Sequence, residues 1–561
     1  MFNRRAVSTL MLAAGAALAA VAAWAASAPA STPAAQSAPV AGAHPYAPTN
    51  GAPAAPKPVS TSTADHSKFK ELQRPFASGP EVTKACLSCH TEAAKQVMRT
   101  KHWTWEFMNP DSGQRLGKKN VINNFCTAVP SNYQFCTACH VGYGWKDANF
   151  DFSNQNAVDC LVCHDTTGKY RKLPGLAGHP PYKDMEFPPH SGKIVKAADL
   201  KMVAQNVGKT SRATCGACHF YGGGGDAVKH GDLDSSMTNP GKYLDIHMAK
   251  DGNNFTCGTC HATSSHDVPG SRYTPTAMPA KGAQMRGKKE EHANPATCEA
   301  CHGSRPHPLT QAKLNDHTDT LACQTCHIPQ FARGNVATKM VWDWSTAGKL
   351  DEKGKPIVIK DSAGRVAYDS KKGDFRYESH VIPDYIWFNG TVNYTLRDTK
   401  LNPEQVVKIN SFEGSPTDGK SKIWPIKVFR GKQPYDKVSM SLLIPHTYGQ
   451  DEAAFWSYFN WEKSLTAGMK AVNEKFSGQY GFVSTEMSWP ITHMVAPKDD
   501  ALKCTQCHSH HGRLQKVAGI YMPGRDANPY LNFLGWAAAL LTFLGVLIHG
   551  ALRIYLNRKG N

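Results

Sequence analysis

Residues 160–164 read Cys-Leu-Val-Cys-His, and this Cys-x-x-Cys-His pattern occurs eight times in a chain of 561 residues. Chance would place only about 0.02 such matches in a chain of this composition, so the eight copies are not accidental. In chain order, the copies are Cys86/Cys89/His90, Cys136/Cys139/His140, Cys160/Cys163/His164, Cys215/Cys218/His219, Cys257/Cys260/His261, Cys298/Cys301/His302, Cys323/Cys326/His327 and Cys504/Cys507/His508.

Each copy has the chemistry of a covalent haem site. Two thiols three residues apart can add to the two vinyl groups of a haem, and the histidine that follows reaches the iron. Zinc needs four ligands per ion and gives no reason for a histidine after every pair. A disulfide oxidoreductase needs one such pair rather than eight. The sequence therefore predicts eight c-type haems, which use 16 of the 17 cysteines and leave Cys126.

Each haem iron also has a sixth coordination position, for which histidine is a common ligand. Seventeen histidines lie outside the motifs, which is more than eight irons need. The candidates chosen by their position are His102, His230, His247, His266, His292, His307, His317 and His493. His66 is set aside because it lies at the edge of a low-complexity segment. The surplus means that counting histidines does not separate an enzyme with an open haem from an electron conduit.

The two ends of the chain predict export and a membrane anchor. Residues 1–28 carry two arginines and then an apolar Ala/Leu/Val run, which is typical of a signal peptide; an uncleaved anchor is the alternative. Residues 29–66 are rich in Ala, Pro and Ser and predict a flexible linker. Residues 531–552 are apolar and long enough to cross a bilayer, and residues 553–561 are basic. We therefore expect an inner-membrane protein with its haem domain in the periplasm and a short cytoplasmic tail.

Between these ends, seven motifs crowd into residues 67–330, and residues 331–515 form a long segment that closes with the eighth motif. With so few residues per haem, the haems themselves must supply much of the buried apolar surface. In the later segment, residues 451–476 predict a helix with a broad aromatic face. Short strands are predicted at residues 357–359, 366–368 and 385–392.

The predicted fold class is a mainly α multihaem cytochrome with little regular secondary structure and a few short strands. Its core would be built on stacked c-type haems, and one C-terminal transmembrane helix would follow. The formal charge of +18 does not require a nucleic-acid partner. Two propionates on each predicted haem offset most of that charge.

The stretch Val-Asp-Cys-Leu-Val-Cys-His-Asp-Thr-Thr-Gly-Lys-Tyr-Arg-Lys at residues 158–172 resembles the octahaem tetrathionate reductase family of c-type cytochromes. The eight motifs, the long gap before the eighth and the single non-motif cysteine before the second share this resemblance, which covers roughly residues 85–512. It implies a periplasmic enzyme with seven bis-histidine haems and a catalytic second haem whose distal ligand is a lysine amine. It also implies a substrate among tetrathionate, nitrite and hydroxylamine.

Carried over to this chain, the resemblance makes the haem of residues 136–140 catalytic and assigns its amine to Lys169, with Lys172 as the alternative. Cys126 would lie near the pocket and form a mixed disulfide with a polythionate, or it would be an inert buried thiol. Asp165 would orient the lysine or deliver protons.

The resulting hypothesis is a reductase of small sulfur or nitrogen oxyanions that receives electrons from a membrane quinone-linked partner such as a b-type cytochrome. A non-enzymatic electron conduit between the quinone pool and periplasmic acceptors is the alternative. A hydroxylamine-oxidising enzyme is a further alternative, but its tyrosine-crosslinked haem cannot be assigned to any of the 19 tyrosines.

Overall fold

In a computed structural model of the chain, the described residues are 61–189, 191–271, 273 and 296–559. The predicted signal peptide, most of the predicted linker and His292 lie outside them. All described residues belong to one compact unit, which contains both the seven-motif region and the segment after it. Structure begins before the predicted linker end at residue 66, because Thr61 Oγ1 accepts a hydrogen bond from the Lys209 backbone.

The first half of the chain is built of short helices that carry the motifs. Its helices are α1 Gly79–Leu87, α2 Ala93–Met98, α3 Lys101–Thr104, α4 Tyr133–Cys136, α5 Leu161–His164, α6 Leu200–Gln205, α7 Arg212–His219, α8 Cys257–Cys260, α9 Glu299–His302, α10 Ala312–His317 and α11 Cys323–His327. A Cys-x-x-Cys pair on one helical turn presents both thiols on the same side of the helix. Most motifs use this geometry, and in α7 a Ser211–Thr214 capping box fixes where the turn begins.

Two small antiparallel hairpins interrupt this helical half. They are formed by β1 Phe107–Met108 with β2 Arg115–Leu116, and by β3 Met185–Glu186 with β4 Ile194–Val195.

The second half is dominated by β-structure. Its strands are β5 Thr338–Asp343, β6 Val358–Lys360, β7 Val366–Asp369, β8 Gly373–Glu378, β9 Asp384–Phe388, β10 Val392–Tyr394, β11 Val407–Lys408, β12 Asn410–Phe412, β13 Lys422–Asp436, β14 Ser441–Leu442 and β15 Tyr480–Pro490. Nine of these strands form one sheet in the order β11-β15-β13-β5-β8-β7-β6, and β9 and β14 also pair with β13. β13 and β15 pair antiparallel over their length, whereas β13 and β5 pair parallel.

This sheet corrects the mainly α prediction, because helix makes up 28% and strand 17% of the structure. The three predicted strands are present as β6, β7 and β9, with β10 following β9. Most of β13 is buried whichever way its side chains point, so its sequence lacks the polar/apolar alternation of a half-exposed strand.

The predicted helix over residues 451–476 is two helices, α12 Phe455–Tyr458 and α13 Trp461–Lys470. Phe459 separates them with a left-handed backbone (φ 55°). Asn460 then starts α13, because its side chain accepts a hydrogen bond from the Lys463 backbone.

The short α14 Cys504–Cys507 carries the last motif, and the chain ends in α15 Pro529–Lys559. This 31-residue helix has a mean hydropathy of 2.0 over its most apolar window, and none of that window is buried. It is therefore long and apolar enough to span a membrane. The helix extends beyond the predicted residues 531–552 at both ends. Its first residue is Pro529, and the missing N–H of proline breaks no helical hydrogen bond at that position.

Candidate haem and substrate site

A continuous cavity of about 4640 Å³ runs along the motifs. At least one cysteine from each of the eight motifs lines it. An ordinary ligand pocket measures about 300–1,000 Å³, so this cavity has room for several cofactors in succession.

Motif thiols from different parts of the chain meet along the cavity. The neighbouring thiol pairs are Cys86 with Cys160, Cys139 with Cys218, Cys215 with Cys257, and Cys298 with Cys323. The second motif therefore lies beside the fourth, although the third separates them in sequence. Cofactors attached at these thiols would be close neighbours, as electron transfer between them requires.

Seven motif histidines face a second histidine across the cavity. Two metal–nitrogen bonds of about 2.0 Å, plus about 1.1 Å from each nitrogen to its ring centre, predict centroids about 6.2 Å apart in a bis-histidine site. The observed pairs are His66–His90 (6.3 Å), His102–His219 (6.2 Å), His164–His266 (6.4 Å), His247–His302 (6.0 Å), His261–His493 (6.4 Å), His307–His327 (6.2 Å) and His317–His508 (6.1 Å). The protein thus holds each pair at the spacing that an iron atom between the rings requires.

Hydrogen bonds at Nδ1 fix the orientation of several of these imidazole rings. Among the motif histidines, Nδ1 donates to the backbone oxygens of Gly208 (2.8 Å, from His164), Pro269 (2.9 Å, from His261) and Pro523 (3.1 Å, from His508). Among their partners, Nδ1 contacts Gln96 (2.8 Å, from His266), Asn315 (3.1 Å, from His307) and Asp232 (3.1 Å, from His493). Anchoring one nitrogen fixes the tautomer and leaves Nε2 for a metal. These residues fit haem iron.

The second motif differs from the other seven. Among the described residues, no histidine ring is stacked or edge-on to His140 at the spacing of the seven pairs. Its ring lies instead in an aromatic cluster with Trp103, Trp105 and Trp145. Nε2 donates to the Trp103 backbone oxygen (2.7 Å), and Nδ1 is buried without a hydrogen-bond partner. Burial lowers the pKa of His140 to about 3, so the imidazole is neutral.

A glycine-rich loop brings a cysteine and a lysine to this second motif. Cys126 Sγ donates to the Gly223 backbone oxygen (3.2 Å), and a side chain at Gly224 would lie 3.0 Å from that sulfur. Lys229 is buried, and a side chain at Gly222 would lie 3.4 Å from its Nζ. Glycines at 222 and 224 therefore let the backbone pass close to both the amine and the thiol, where larger side chains would crowd them.

The charges around this loop are mainly positive. Burial raises the pKa of the Cys126 thiol, although Lys372, Lys339 and Lys118 act in the opposite direction. Cys126 is therefore a neutral thiol near pH 7. Three amines, those of Lys118, Lys229 and Lys172, act electrostatically on the Cys139 thiol of the second motif.

The comparisons with known proteins agree with this geometry. The crystal structure of octaheme cytochrome c from Shewanella oneidensis matches with a TM-score of 0.70 and 44% identity, covering 81% of this chain and 95% of that one. The chain belongs to the octahaem c-type cytochromes. The family predicted from residues 158–172 and the eight motifs is thereby confirmed, and covalent haem c is the cofactor type.

Two further matches are consistent with this family. A family model described as bacterial cytochrome c matches residues 339–511. An uncharacterized protein of Archaeoglobus fulgidus is 22% identical over 262 residues, which are 40% of this chain and 86% of that protein.

Of the eight predicted distal ligands of this octahaem cytochrome, His292 lies outside the described residues and six face a motif histidine. These six are His102, His247, His266, His307, His317 and His493. His230 does not face one; it lies 4.9 Å from the Trp489 ring and 3.8 Å from an Asp232 oxygen. His66, which the sequence analysis set aside, stacks on His90. The sequence signal for a folded turn at His66–Lys68 was Asp65, whose side chain caps that turn by accepting a hydrogen bond from the Ser67 backbone.

The position of Lys169 does not fit its predicted role as ligand. Its side chain is exposed and does not line the cavity. The role of Asp165 stays a prediction: its carboxylate accepts hydrogen bonds from Thr167 and Tyr170 and thereby closes its own loop.

Lys172, the alternative ligand, is buried but fully engaged. Its Nζ lies 3.1 Å from the Asp159 carboxylate and donates to the backbone oxygens of His140 and Gly142. Although Lys172 also lines the cavity, these three partners occupy its amine, and they brace the loop after the second motif. The sequence reasoning missed Lys229. The run Gly-Gly-Gly-Gly-Asp-Ala-Val-Lys at residues 222–229 was the available indication.

Proposed function

We propose that this octahaem cytochrome binds eight haems and reduces small sulfur or nitrogen oxyanions at the second motif. The observation that carries the proposal is the contrast between seven paired motif histidines and one unpaired one. At the unpaired one, His140, the chain supplies Lys229 and Cys126 instead of a histidine. Haem bound there would supply electrons and a coordination position that a substrate can take from an amine.

The residues around that position suit an anionic substrate. Lys118 and Lys372 line the cavity and act electrostatically on Cys126, and cationic side chains concentrate anions such as tetrathionate or nitrite. Burial lowers the pKa of the third lysine, Lys339, so its amine adds less positive charge. Reduction of tetrathionate takes two electrons, breaks the central S–S bond and gives two thiosulfate ions. Lys229 would hold or give a proton at its Nζ when a substrate occupies that position.

We assign Cys126 a contact role rather than a nucleophilic one. The thiolate, not the thiol, attacks disulfides. Because burial raises the pKa of Cys126, the mixed-disulfide role inferred from the family is disfavoured near pH 7. Its S–H donates to the Gly223 backbone oxygen, and this hydrogen bond holds the sulfur against the glycine loop.

The membrane partner remains part of the proposal. The His508 ring is anchored by the Pro523 backbone oxygen, and α15 begins only six residues later. Arg525 stiffens this connection by donating to the backbone oxygens of Leu514, Val517 and Ile520. The last motif would therefore lie next to the membrane, where a quinone-linked partner such as a b-type cytochrome could deliver electrons.

The test compares Lys229→Ala with Lys169→Ala in the haem-loaded protein. Reduction of tetrathionate, nitrite and hydroxylamine by reduced methyl viologen is measured alongside low-temperature EPR spectra. Lys229→Ala is expected to convert one low-spin haem to high spin and to lower the rate at which the preferred substrate is reduced by about 100-fold or more. Lys169→Ala should leave both unchanged.

Three results would contradict the proposal. Haem analysis by mass could give fewer than eight haems per chain. The effect could appear in Lys169→Ala instead. All haems could stay low spin in Lys229→Ala with no substrate turned over, which would favour the non-enzymatic electron conduit.

A further inference from the structure

Lys427 is a lysine buried inside the sheet. It lies in β13 between Ile426 and Val428, and its side chain is 0% exposed. A buried ammonium group is costly unless each of its N–H groups finds an acceptor. The proposed chemistry does not use Lys427, so its presence there needs another reason.

All three acceptors of Lys427 belong to two segments that meet beside the candidate site. Its Nζ donates to the backbone oxygens of Val228 (2.9 Å) and Lys229 (3.2 Å) and to Thr338 Oγ1 (2.7 Å). Thr338 Oγ1 in turn donates to the Ala227 backbone oxygen (2.6 Å). Two side chains from adjacent strands thus bind three consecutive carbonyl groups that end at Lys229.

The bound segment has a backbone that needs such support. Ala227 is fully buried and has a left-handed backbone with φ 54°. A residue with a Cβ rarely adopts this conformation, and it persists only where the surroundings hold it. Released from Lys427 and Thr338, residues 227–229 can relax to an ordinary conformation and turn the Lys229 side chain away.

We propose that Lys427, together with Thr338, is a positioning residue that holds the Lys229 amine at the second haem. This inference rests on the proposed role of Lys229 as the amine ligand. Lys427 itself touches only the backbone of the ligand segment and not the reacting atoms.

The experiment uses Lys427→Met and Thr338→Val in the full chain with its covalent haems. Ser464→Ala is the matched control, because it removes a buried hydroxyl that donates to a backbone oxygen (His446, 2.9 Å) away from Lys229. The readout is the EPR and near-infrared signature of amine ligation, defined as the signal that Lys229→Ala abolishes. Haem content and melting temperature are measured on each variant.

We expect Lys427→Met to reduce that signature and to raise the high-spin signal, with haem content unchanged. Each hydrogen bond lost shifts the bound-to-released ratio of the amine by about 2- to 10-fold. Thr338→Val should therefore give a smaller change in the same direction, and Ser464→Ala none. Should Lys427→Met fail to incorporate haem, Thr338→Val alone decides.

The inference is overturned if the folded Lys427 and Thr338 variants keep the full amine signature while Lys229→Ala loses it. It is also overturned if Ser464→Ala produces the same loss, since the effect would then be general destabilisation. If Lys229→Ala leaves the spectrum intact, the proposed ligand is wrong and the positioning role falls with it. The two failures are therefore distinguishable.

Discussion

Replacing Lys172 with methionine separates a structural lysine from a ligand lysine. Its Nζ lies 3.1 Å from an Asp159 oxygen, and the two side chains are only 3% and 0% exposed. The same carboxylate accepts hydrogen bonds from Tyr143 (2.7 Å) and Tyr170 (2.9 Å). Lys172→Met leaves Asp159 buried with its hydroxyl donors but without its charge partner.

The expected cost follows from that burial. Removing one partner of a buried ion pair destabilises a protein by about 3–5 kcal/mol, because the other charge remains unpaired. An unfolding entropy of about 2.1 cal/mol/K per residue gives about 1 kcal/mol/K for a chain of this length. The melting temperature should therefore fall by about 3–5 °C.

Thermal melting of the oxidised, haem-loaded protein measures this shift, followed by circular dichroism and haem absorbance. The control is Lys463→Met, which makes the same change in an exposed pair of similar length, Lys463–Glu452 at 2.8 Å, and should not shift the melting temperature measurably. Adding Asp159→Asn to Lys172→Met should recover part of the loss, since it removes the stranded charge.

An unchanged melting temperature in Lys172→Met would refute this reasoning. So would a stable Lys172→Met variant that loses the amine-ligation signature, because Lys172 rather than Lys229 would then be the ligand. The predicted pattern is the reverse: Lys172→Met is less stable with its signature intact.

Three further predictions concern other parts of the chain. Iodoacetamide should label at most one thiol per haem-loaded chain. Because burial raises the pKa of Cys126, the labelling should be slow at pH 7 and faster as the pH rises. Rapid labelling at pH 7, or any labelling of the Cys126→Ser variant, would contradict this. His66→Ala should remove one bis-histidine signal from the EPR spectrum, whereas replacing the exposed His380 should not. Deleting residues 529–559 should move the protein from the membrane to the soluble fraction with its haem content unchanged; continued sedimentation would show that another segment anchors it.

The haem motifs could be predicted from the sequence because five consecutive residues contain all the attachment chemistry. The partners of the motif histidines are different, since folding alone brings them together. His493 faces His261 although 231 positions of sequence separate them, and Asp232 anchors the His493 ring. Position near a motif selected His493, which faces a motif histidine, whereas His230, chosen from a longer segment between two motifs, packs against Trp489.

The fold class was predicted less well because burial hides strand periodicity. In β13, Ile423, Trp424, Ile426 and Phe429 are all buried although they point to both faces of the sheet. A sequence with this pattern reads equally as helix or strand. The break at Phe459 was more accessible, because Asn460 is a typical helix N-cap and could have divided the predicted helix.

Lys169 and Lys229 show why the ligand itself could not be chosen from sequence order. Each lysine follows a motif within ten residues, so proximity along the chain favours neither. Burial distinguishes the two side chains, since Lys169 is exposed, whereas Lys229 is buried beside the glycine loop that accepts the Cys126 S–H. Order along the chain does not show this, because the segment around the third motif also contacts the second: Asp159 N–H donates to the Val141 oxygen and Lys172 Nζ to the His140 oxygen. Which lysine lies beside the second motif is therefore a property of how the motif segments pack, and this packing is not visible in the spacing of the motifs along the chain.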